Sequence, residues 1–437
     1  MKGKKLRIAI AGFGTVGQGV WKHMRARRAE LEARMACSFE LVGAAARDLS
    51  KKRAVKIPAG RLTDDPMALA CSPDVDLLCE LMGGTREALR VTRAALERGK
   101  TVVTANKALL CHHGEELFAL ARSSGAHIYF EASVAGGIPI IKALREGLVV
   151  NRFPLIYGIL NGTCNYILTR MEREMKSFGE IVGDARRLGY VEADERLDLD
   201  GLDAAHKAVI LAYLAHGKWI PIKEMPVEGI RDVTLEDIEW ARRLGCKIKL
   251  VALILRDFKR GDVFASVQPA LVPQEMVLAN VDGVFNAVSV TGDVVGESLY
   301  IGRGAGQDPT ASAVISDIVD AGTAIAHGVE PFEPMAAPGL ELARKQDLYR
   351  SFYIRLVVKD RPGALAEVTS LLAREGISLE SVLQRPDGGR GTANLVLTTH
   401  VCSEAAMAAA VKGLSAHPSV KGKPFLLRIA DFAQRLG

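Results

Sequence analysis

Short apolar runs alternate with amphipathic stretches through the first third of the chain. Leu6–Ala11, Leu41–Ala46, Leu77–Leu81, Val102–Thr104 and Ile128–Glu131 have the length of buried strands. Helical periodicity fills most of the intervals, from Gly17 to Ala36, over Arg86–Arg98 and over Gly114–Arg122. Repeated strand–helix units predict a parallel, doubly wound α/β sheet with right-handed crossovers. Ligands of such sheets bind beyond the carboxyl ends of the strands.

After Glu131 the texture changes. A turn at Gly136, Gly137 and Pro139 opens a mixed α+β segment that runs to about Tyr300. A Gly-rich turn at Gly302–Gly306 then leads into a helix, Thr310–Ile325, expected to pack back on the first domain. From Phe352 the pattern becomes strand (Phe352–Val358), DRPG turn, helix (Ala364–Glu375), strand (Ser378–Gln384), hairpin (Asp387–Gly391), strand (Thr392–Thr399), helix (Ser403–Leu414) and strand (Phe425–Ile429). That βαββαβ order is ferredoxin-like. The expected division is a nucleotide domain at 1–135, a substrate and dimerisation domain at 136–300, a return segment at 301–348 and the ferredoxin-like tail at 349–437.

Composition narrows the function classes. The chain has 437 residues, 49% apolar and 25% charged, too long for one ordinary core and globular in balance. A net charge of +6 is spread thinly, without a dense basic face, so no nucleic-acid partner is expected. No apolar run reaches the roughly 18–20 residues that cross a bilayer, so no membrane is expected either. Lys2, Lys4 and Lys5 precede an apolar stretch in the manner of a signal peptide. Arg7 interrupts it and GFGTVG follows, which favours a folded first strand. Seven cysteines without CxxC spacing suit free thiols in the cytoplasm. His112 and His113 are adjacent rather than one helical turn apart, which does not suit a zinc site.

Gly12-Phe13-Gly14-Thr15-Val16-Gly17 follows the first strand and opens a helix. In that setting one glycine permits the tight turn, the next admits a pyrophosphate, and the third allows helix–strand packing. The pattern predicts a Rossmann-type dinucleotide site. Arg47 stands past the second strand, where an acidic residue binds the ribose 2′-hydroxyl, with Asp48, Lys51, Lys52 and Arg53 after it. A guanidinium there suits a 2′-phosphate, so NADP is expected to be accepted, while Asp48 keeps NAD open.

Further along, VTANK (Val103–Lys107) closes a strand, and Asn161-Gly162-Thr163-Cys164-Asn165 forms a second motif. The third crowds Glu192, Asp194, Asp198, Asp200 and Asp203 near Lys207, with Asp203 and Lys207 at i,i+4 spacing. Acids so dense need a cationic partner: lysine, a metal or a substrate ammonium. With EASVAGGIP (Glu131–Pro139) and GRGAG (from Gly302), these motifs closely resemble homoserine dehydrogenase over nearly the whole chain. The tail, with DRPGAL at Asp360–Leu365, resembles an ACT domain.

The resemblance implies NAD(P)-dependent interconversion of L-homoserine and L-aspartate 4-semialdehyde in threonine and methionine biosynthesis. By residue match it implies Lys207 as general acid/base, Lys107 as its companion, also near the cofactor, and Glu192 and Asp203 at the amino-acid end of the substrate. Asp198 holds the acidic network, and Gly189 and Gly304 lie against the cofactor or serve only as turn glycines. It also implies a sodium ion held by Glu131 and the carbonyls of Val134, Gly136 and Ile138, the alternative being that Glu131 caps the next turn. A threonine effector for the tail and a homodimer or homotetramer are implied as well, though the tail can instead serve dimerisation alone. Glu195 stands where the family usually has proline. Another Rossmann oxidoreductase of an amino-acid aldehyde and a non-catalytic amino-acid sensor are the competing readings. Cys164 has no neighbouring base in the sequence and is expected to be a packed thiol.

Overall fold

A computed structural model of the protein describes residues 5–187, 195–329, 337, 339–386 and 391–431. In chain order it opens with β1 (Lys5–Ala11), α1 (Thr15–Ala26), α2 (Arg28–Met35), β2 (Ser38–Ala45), β3 (Leu62–Thr63) and α3 (Pro66–Cys71). There follow β4 (Leu77–Glu80), α4 (Arg86–Leu96), β5 (Thr101–Thr104), α5 (Lys107–Ser124), β6 (Ile128–Tyr129) and α6 (Ile140–Lys142). The middle holds β7 (Leu155–Ile159), α7 (Gly162–Glu174), α8 (Phe178–Arg187), α9 (Arg196–Leu199), α10 (Leu202–His216) and α11 (Leu235–Arg243). It continues through β8 (Cys246–Asp257), β9 (Asp262–Pro273), β10 (Phe285–Gly292), β11 (Gly296–Arg303), α12 (Gln307–His327) and β12 (Glu341–Leu342). The tail is β13 (Tyr349–Lys359), α13 (Ala364–Arg374), β14 (Leu379–Pro386), β15 (Thr392–Thr399), β16 (Cys402–Ser403), α14 (Glu404–Ala416) and β17 (Val420–Ile429). Among the described residues no helix is long and apolar enough to cross a membrane.

The chain forms two compact units: 1–153 with 205–224 and 286–339, and 154–204 with 225–285 and 340–437. The first is built on a parallel sheet of order β3-β2-β1-β4-β5-β6, the doubly wound arrangement that the alternating runs predict. Leu6, Ile8 and Ile10 of β1 alternate into a core completed by Val20, Met24 and the return helix α12, through Val314 and Ile318. Gly19 of α1 lies so close to α12 that a Cβ there would stand 2.8 Å from Gln307. The return helix therefore does pack on the nucleotide sheet.

Three local expectations need correction. The helix expected from Gly17 to Ala36 is two, broken at Arg27 (φ −117°, ψ 30°) with no glycine or proline to mark it. The break coincides with a tertiary contact: the Arg28 guanidinium lies 4.4 Å above the Phe39 ring and donates to the Phe39 carbonyl. The helix expected from Gly114 begins at Lys107, because Asn106 caps it by accepting from the Leu109 N–H at 3.0 Å. The strand at Ile128 ends at Tyr129, and Glu131–Ser133 turn as a 3-10 helix.

The second unit contains a sheet of order β7-β8-β9-β17-β13-β15-β14. β8 and β9 pair antiparallel from Cys246↔Pro273 to Asp257↔Asp262. The ferredoxin-like tail is present, but it does not stand apart: β17 pairs parallel with β9 at Arg428↔Ala270 and Ile429↔Leu271. Phe352, Ile354, Leu356, Leu395 and Leu397 of its sheet pack under Val368, Leu372, Met407 and Leu414 of its helices. Tyr353 and Arg355 reach across to the buried Asp237 of α11, at 3.0 Å from the hydroxyl and 2.7 Å from Nε. The hairpin expected at Asp387–Gly391 lies, apart from Gly391, outside the described residues.

Candidate active site

The turn after β1 is closed by backbone. Gly12 and Phe13 both donate to the Ala45 carbonyl, at 3.0 and 2.7 Å, which leaves the start of α1 as the face for an anion. Gly12 has φ +107°, and a Cβ there would stand 2.4 Å from the Leu81 oxygen. One at Gly17 would stand 2.5 Å from the Gly12 oxygen, whereas one at Gly14 would meet nothing within 4 Å. Gly14 is the helix N-cap and brings no side chain to it, so the space over Thr15 and Val16 stays open for a phosphate. The Phe13 ring is buried in the core rather than turned to a ligand. The turn thus fits a dinucleotide pyrophosphate. Gln307 of α12, which the motifs did not single out, donates to the Thr15 carbonyl at 2.9 Å and braces this turn.

Arg47 is exposed two residues beyond β2. Asp48 is held in a turn, accepting from the Ser50 hydroxyl at 2.6 Å and the Ser50 N–H at 2.9 Å. Those bonds, led by the hydroxyl, keep its carboxyl below the usual carboxylate range.

At the carboxyl edge of the sheet lies a residue that pattern reading missed. Glu80 ends β4 fully buried, accepting from the Thr104 hydroxyl at 2.7 Å and the Met82 N–H at 2.9 Å. Burial pushes its carboxyl up to about 7 against the pull of these donors. Thr104 in turn accepts from the Asn106 N–H, and the Asn106 amide donates to the Gly84 carbonyl at 2.8 Å. This network fixes the first turn of α5, where Lys107 is the first residue. An acid closing an apolar run was the available signal.

α10 carries the second lysine. Lys207 and Asp203 lie one turn apart on it, both buried, as their spacing predicts. The Lys207 portion of α10 packs along α5 in the first unit. His112 meets His206 edge to face at 5.3 Å, and Phe118 meets Tyr213 at 5.2 Å. Those ring pairs bring the two helices into contact.

In the second unit, one amide organises the acids. Asn161 caps α7 by accepting from the Cys164 N–H at 2.7 Å, and its Nδ2 donates to Asp198 at 2.8 Å and Asp203 at 2.9 Å. Bridging two carboxylates with one NH2 group is the physical use of the NGTCN motif that its bare sequence left unassigned. Cys164 is fully buried, with Sγ 3.1 Å from the Asp198 carbonyl oxygen. Burial, reinforced by the nearby acids, pushes its thiol far up, which suits a packed thiol and not a nucleophile. Asn165 is structural, held by Lys249 and donating to the Val281 and Phe285 carbonyls. Glu192 and Gly189 lie outside the described residues.

Glu131 does cap the following turn, accepting from the Ile141 and Lys142 N–H groups at 3.0 and 2.8 Å. Burial pushes it up to about 7, and its own N–H is bound by the buried Asp317 at 2.8 Å. Ala135 in the same turn has φ +52°, and Gly136 has φ +50°. A Cβ on Gly136 would stand 2.5 Å from the Gly304 oxygen, and one on Gly304 would stand 2.2 Å from the Asn286 amide. Gly304 is therefore required where the GRGAG turn packs on its neighbours.

The sequence matches the homoserine dehydrogenase family model over residues 139–319 and the homoserine dehydrogenase NAD-binding domain over 12–131. A homoserine dehydrogenase of Neisseria gonorrhoeae is 39% identical over 433 residues, covering 98% of this chain and 99% of that one. The chain belongs to the homoserine dehydrogenase family. A solved homoserine dehydrogenase from Thiobacillus denitrificans has TM-score 0.92 at 39% identity, covering 99% of this chain and 100% of that one. A hyperthermophilic archaeal homoserine dehydrogenase in complex with NADPH has TM-score 0.62 at 28% identity, covering 75% of this chain and 99% of that one. Residues 352–416 match the ACT domain. Homoserine dehydrogenase is an oxidoreductase family, and its nucleotide-binding and ACT parts are both present in this chain.

Proposed function

We propose that the chain interconverts L-homoserine and L-aspartate 4-semialdehyde, in the cytoplasm, on the route to threonine and methionine. The contact of α5 with α10 carries this reading, because it joins the helix that bears Lys107 to the helix that bears Lys207. A bound nicotinamide supplies the hydride in one direction and accepts it in the other. As the aldehyde carbon is reduced, negative charge gathers on its oxygen, and Lys207 Nζ donates the proton. In the reverse direction the neutral amine takes the hydroxyl proton. Lys107 steadies the same oxygen and borders the nicotinamide. Glu192 and Asp203 hold the substrate ammonium, with Asp198 keeping Asp203 in place through Asn161. The functional parts divide near residues 135, 300 and 348, and the active form is a homodimer or homotetramer.

NADP(H) is the favoured cofactor, since Asp48 is engaged with Ser50 while Arg47 is exposed beyond β2. Arg47→Ala is expected to raise KM for NADP+ by about tenfold, the worth of one charge-assisted contact, and to leave KM for NAD+ nearly unchanged. Steady-state assays of both cofactors on homoserine check this, and equal weakening would remove the 2′-phosphate role. Absence of turnover with either cofactor, across pH, would favour another aldehyde reductase or a silent sensor.

A sodium ion at Glu131, with the carbonyls of Val134, Gly136 and Ile138, fits the left-handed backbone at Ala135 and Gly136, a strain that ligand clamps tolerate. Replacing Na+ with tetramethylammonium at constant ionic strength is expected to lower activity and Tm. If neither changes, the ion plays no part and Glu131 serves as a cap alone. The tail is proposed to regulate, with threonine as effector.

A further inference from the structure

Within the first unit, Glu80 is a fully buried acid to which the proposed reaction gives no task. It closes β4 at the carboxyl edge of the parallel sheet, in register with Ala11, the residue before the cofactor turn. Its three partners all donate: the Thr104 hydroxyl at 2.7 Å, the Met82 N–H at 2.9 Å and the Asn106 amide at 3.5 Å. None is a cation, although a buried carboxylate is costly without one. The charged and titratable groups on the surrounding elements are Cys79 on β4, Arg86 and Glu87 on α4, Lys107 on α5, Asp317 on α12, and Glu131. Among the described residues, no ion pair or hydrogen bond joins any of them to Glu80.

Two contacts tie this acid to the cofactor site. The Met82 nitrogen that bonds to Glu80 is one of the atoms against which Gly12 packs, 2.7 Å from where a Cβ would stand. The Thr104 and Asn106 partners lead directly into Lys107, the first residue of α5. The direction of a bound dinucleotide follows from the fold: its pyrophosphate belongs at α1, after β1, and its adenosine ribose beyond β2. The nicotinamide therefore falls to the other side of β1, over the ends of β4 and β5, where Glu80 and Thr104 stand in register. Oxidised nicotinamide carries a positive charge on its ring, and reduced nicotinamide does not. A buried anion without a cation distinguishes those two states, because Coulomb interaction is strong where water is excluded.

We propose that the ionised Glu80 favours the oxidised over the reduced form of the bound nicotinamide, and that Glu80 gives up its proton when the oxidised form binds. This rests on the nicotinamide chemistry of the proposed function and not on its substrate. Burial pushes the Glu80 carboxyl up to about 7, so both of its protonation states are populated near neutrality. The protonated form needs an acceptor, and among its partners only the Thr104 hydroxyl offers one. A cationic ring stabilises the ionised form and draws the carboxyl back down. By linkage, the ratio of oxidised to reduced cofactor affinity rises as pH increases through that range.

Fluorescence titration of the full chain with NADPH, and displacement by NADP+, give both dissociation constants. Glu80→Gln is expected to fold, since its amide mimics the protonated carboxyl, donating to Thr104 and accepting from Met82. NADP+ should then bind about tenfold more weakly at alkaline pH, with NADPH changed by no more than about twofold. Equal weakening of both forms, or of neither, overturns the assignment, because a merely structural acid would not tell them apart. The unsubstituted chain supplies a second measurement that needs no variant. Calorimetry in buffers of different ionisation heat should show NADP+ releasing roughly 0.4 of a proton per site more than NADPH near pH 7, the amount for a one-unit fall. The 2′-phosphate is common to both forms and cancels from that difference. Equal proton release overturns the proposal, and absence of nucleotide binding overturns it together with the cofactor reading. A chain that discriminates the two forms in this way but turns over no homoserine would support the role of Glu80 and sink the proposed activity.

Discussion

Lys207→Ala is expected to lower kcat by about 10²- to 10⁴-fold, the range for loss of a positioned general acid, while cofactor affinity stays within about twofold. The side chain sits mid-helix among buried Ala204, Ala205, Ala208 and Val209, and alanine is the best helix former, so α10 survives the change. In the proposed mechanism, what is lost is the proton carrier on the reacting oxygen. Pre-steady-state measurement of nucleotide reduction, with a parallel fluorescence titration of NADPH, separates the two effects. A parallel fall in turnover and cofactor affinity would reassign Lys207 to binding or folding. Lys107→Ala should cost less turnover and some nicotinamide affinity, because its proposed role spans both.

The second large effect is expected at the first glycine of the cofactor turn. At φ +107° an alanine is strained whatever its surroundings. Its Cβ would also stand 2.4 Å from the Leu81 oxygen and 2.7 Å from the Met82 nitrogen, backbone atoms that cannot rotate aside. Conformational strain and overpacking together cost on the order of 3 kcal/mol, equivalent to about 100-fold in cofactor affinity if taken wholly by the binding-competent turn. Gly14→Ala supplies the contrast, since its Cβ meets no protein atom and any loss there is the ligand's own. NADPH titration and thermal melting of both variants decide the matter. A Gly12→Ala protein that binds NADPH normally would show that the turn does not hold the pyrophosphate.

Much of this was readable in advance because it depends on local periodicity and turn chemistry. Alternating apolar runs announced the parallel sheet, GFGTVG announced its first turn, and the i,i+4 spacing put Asp203 and Lys207 on one helix face. The ferredoxin-like order of the tail followed from the same rules, and the residues fit a known family throughout. What escaped depends on contacts between distant segments. The break at Arg27 has no glycine or proline to signal it and coincides with the Arg28 contact on Phe39. Glu80 looks like the polar end of a strand until Thr104 and Met82 donate to it. Asn161 was visible as part of a motif, but its double use, as cap and as bridge between Asp198 and Asp203, needed α7 and α9 in place. The docking of the tail's last strand on β9 was equally invisible, since either edge of a ferredoxin-like sheet offers the same free backbone groups.

That docking limits how this protein's tail can be studied. Deleting everything after Tyr349 would strip β17 from β9 at Ala270 and Leu271 and bare an apolar stretch of sheet edge there, an invitation to aggregation. It would also take Tyr353 and Arg355 from the buried Asp237 carboxylate and leave it the Thr234 donors without a balancing cation. A shortened enzyme that no longer responds to an amino acid would therefore confound lost control with a damaged sheet, and surface substitutions are the sounder instrument.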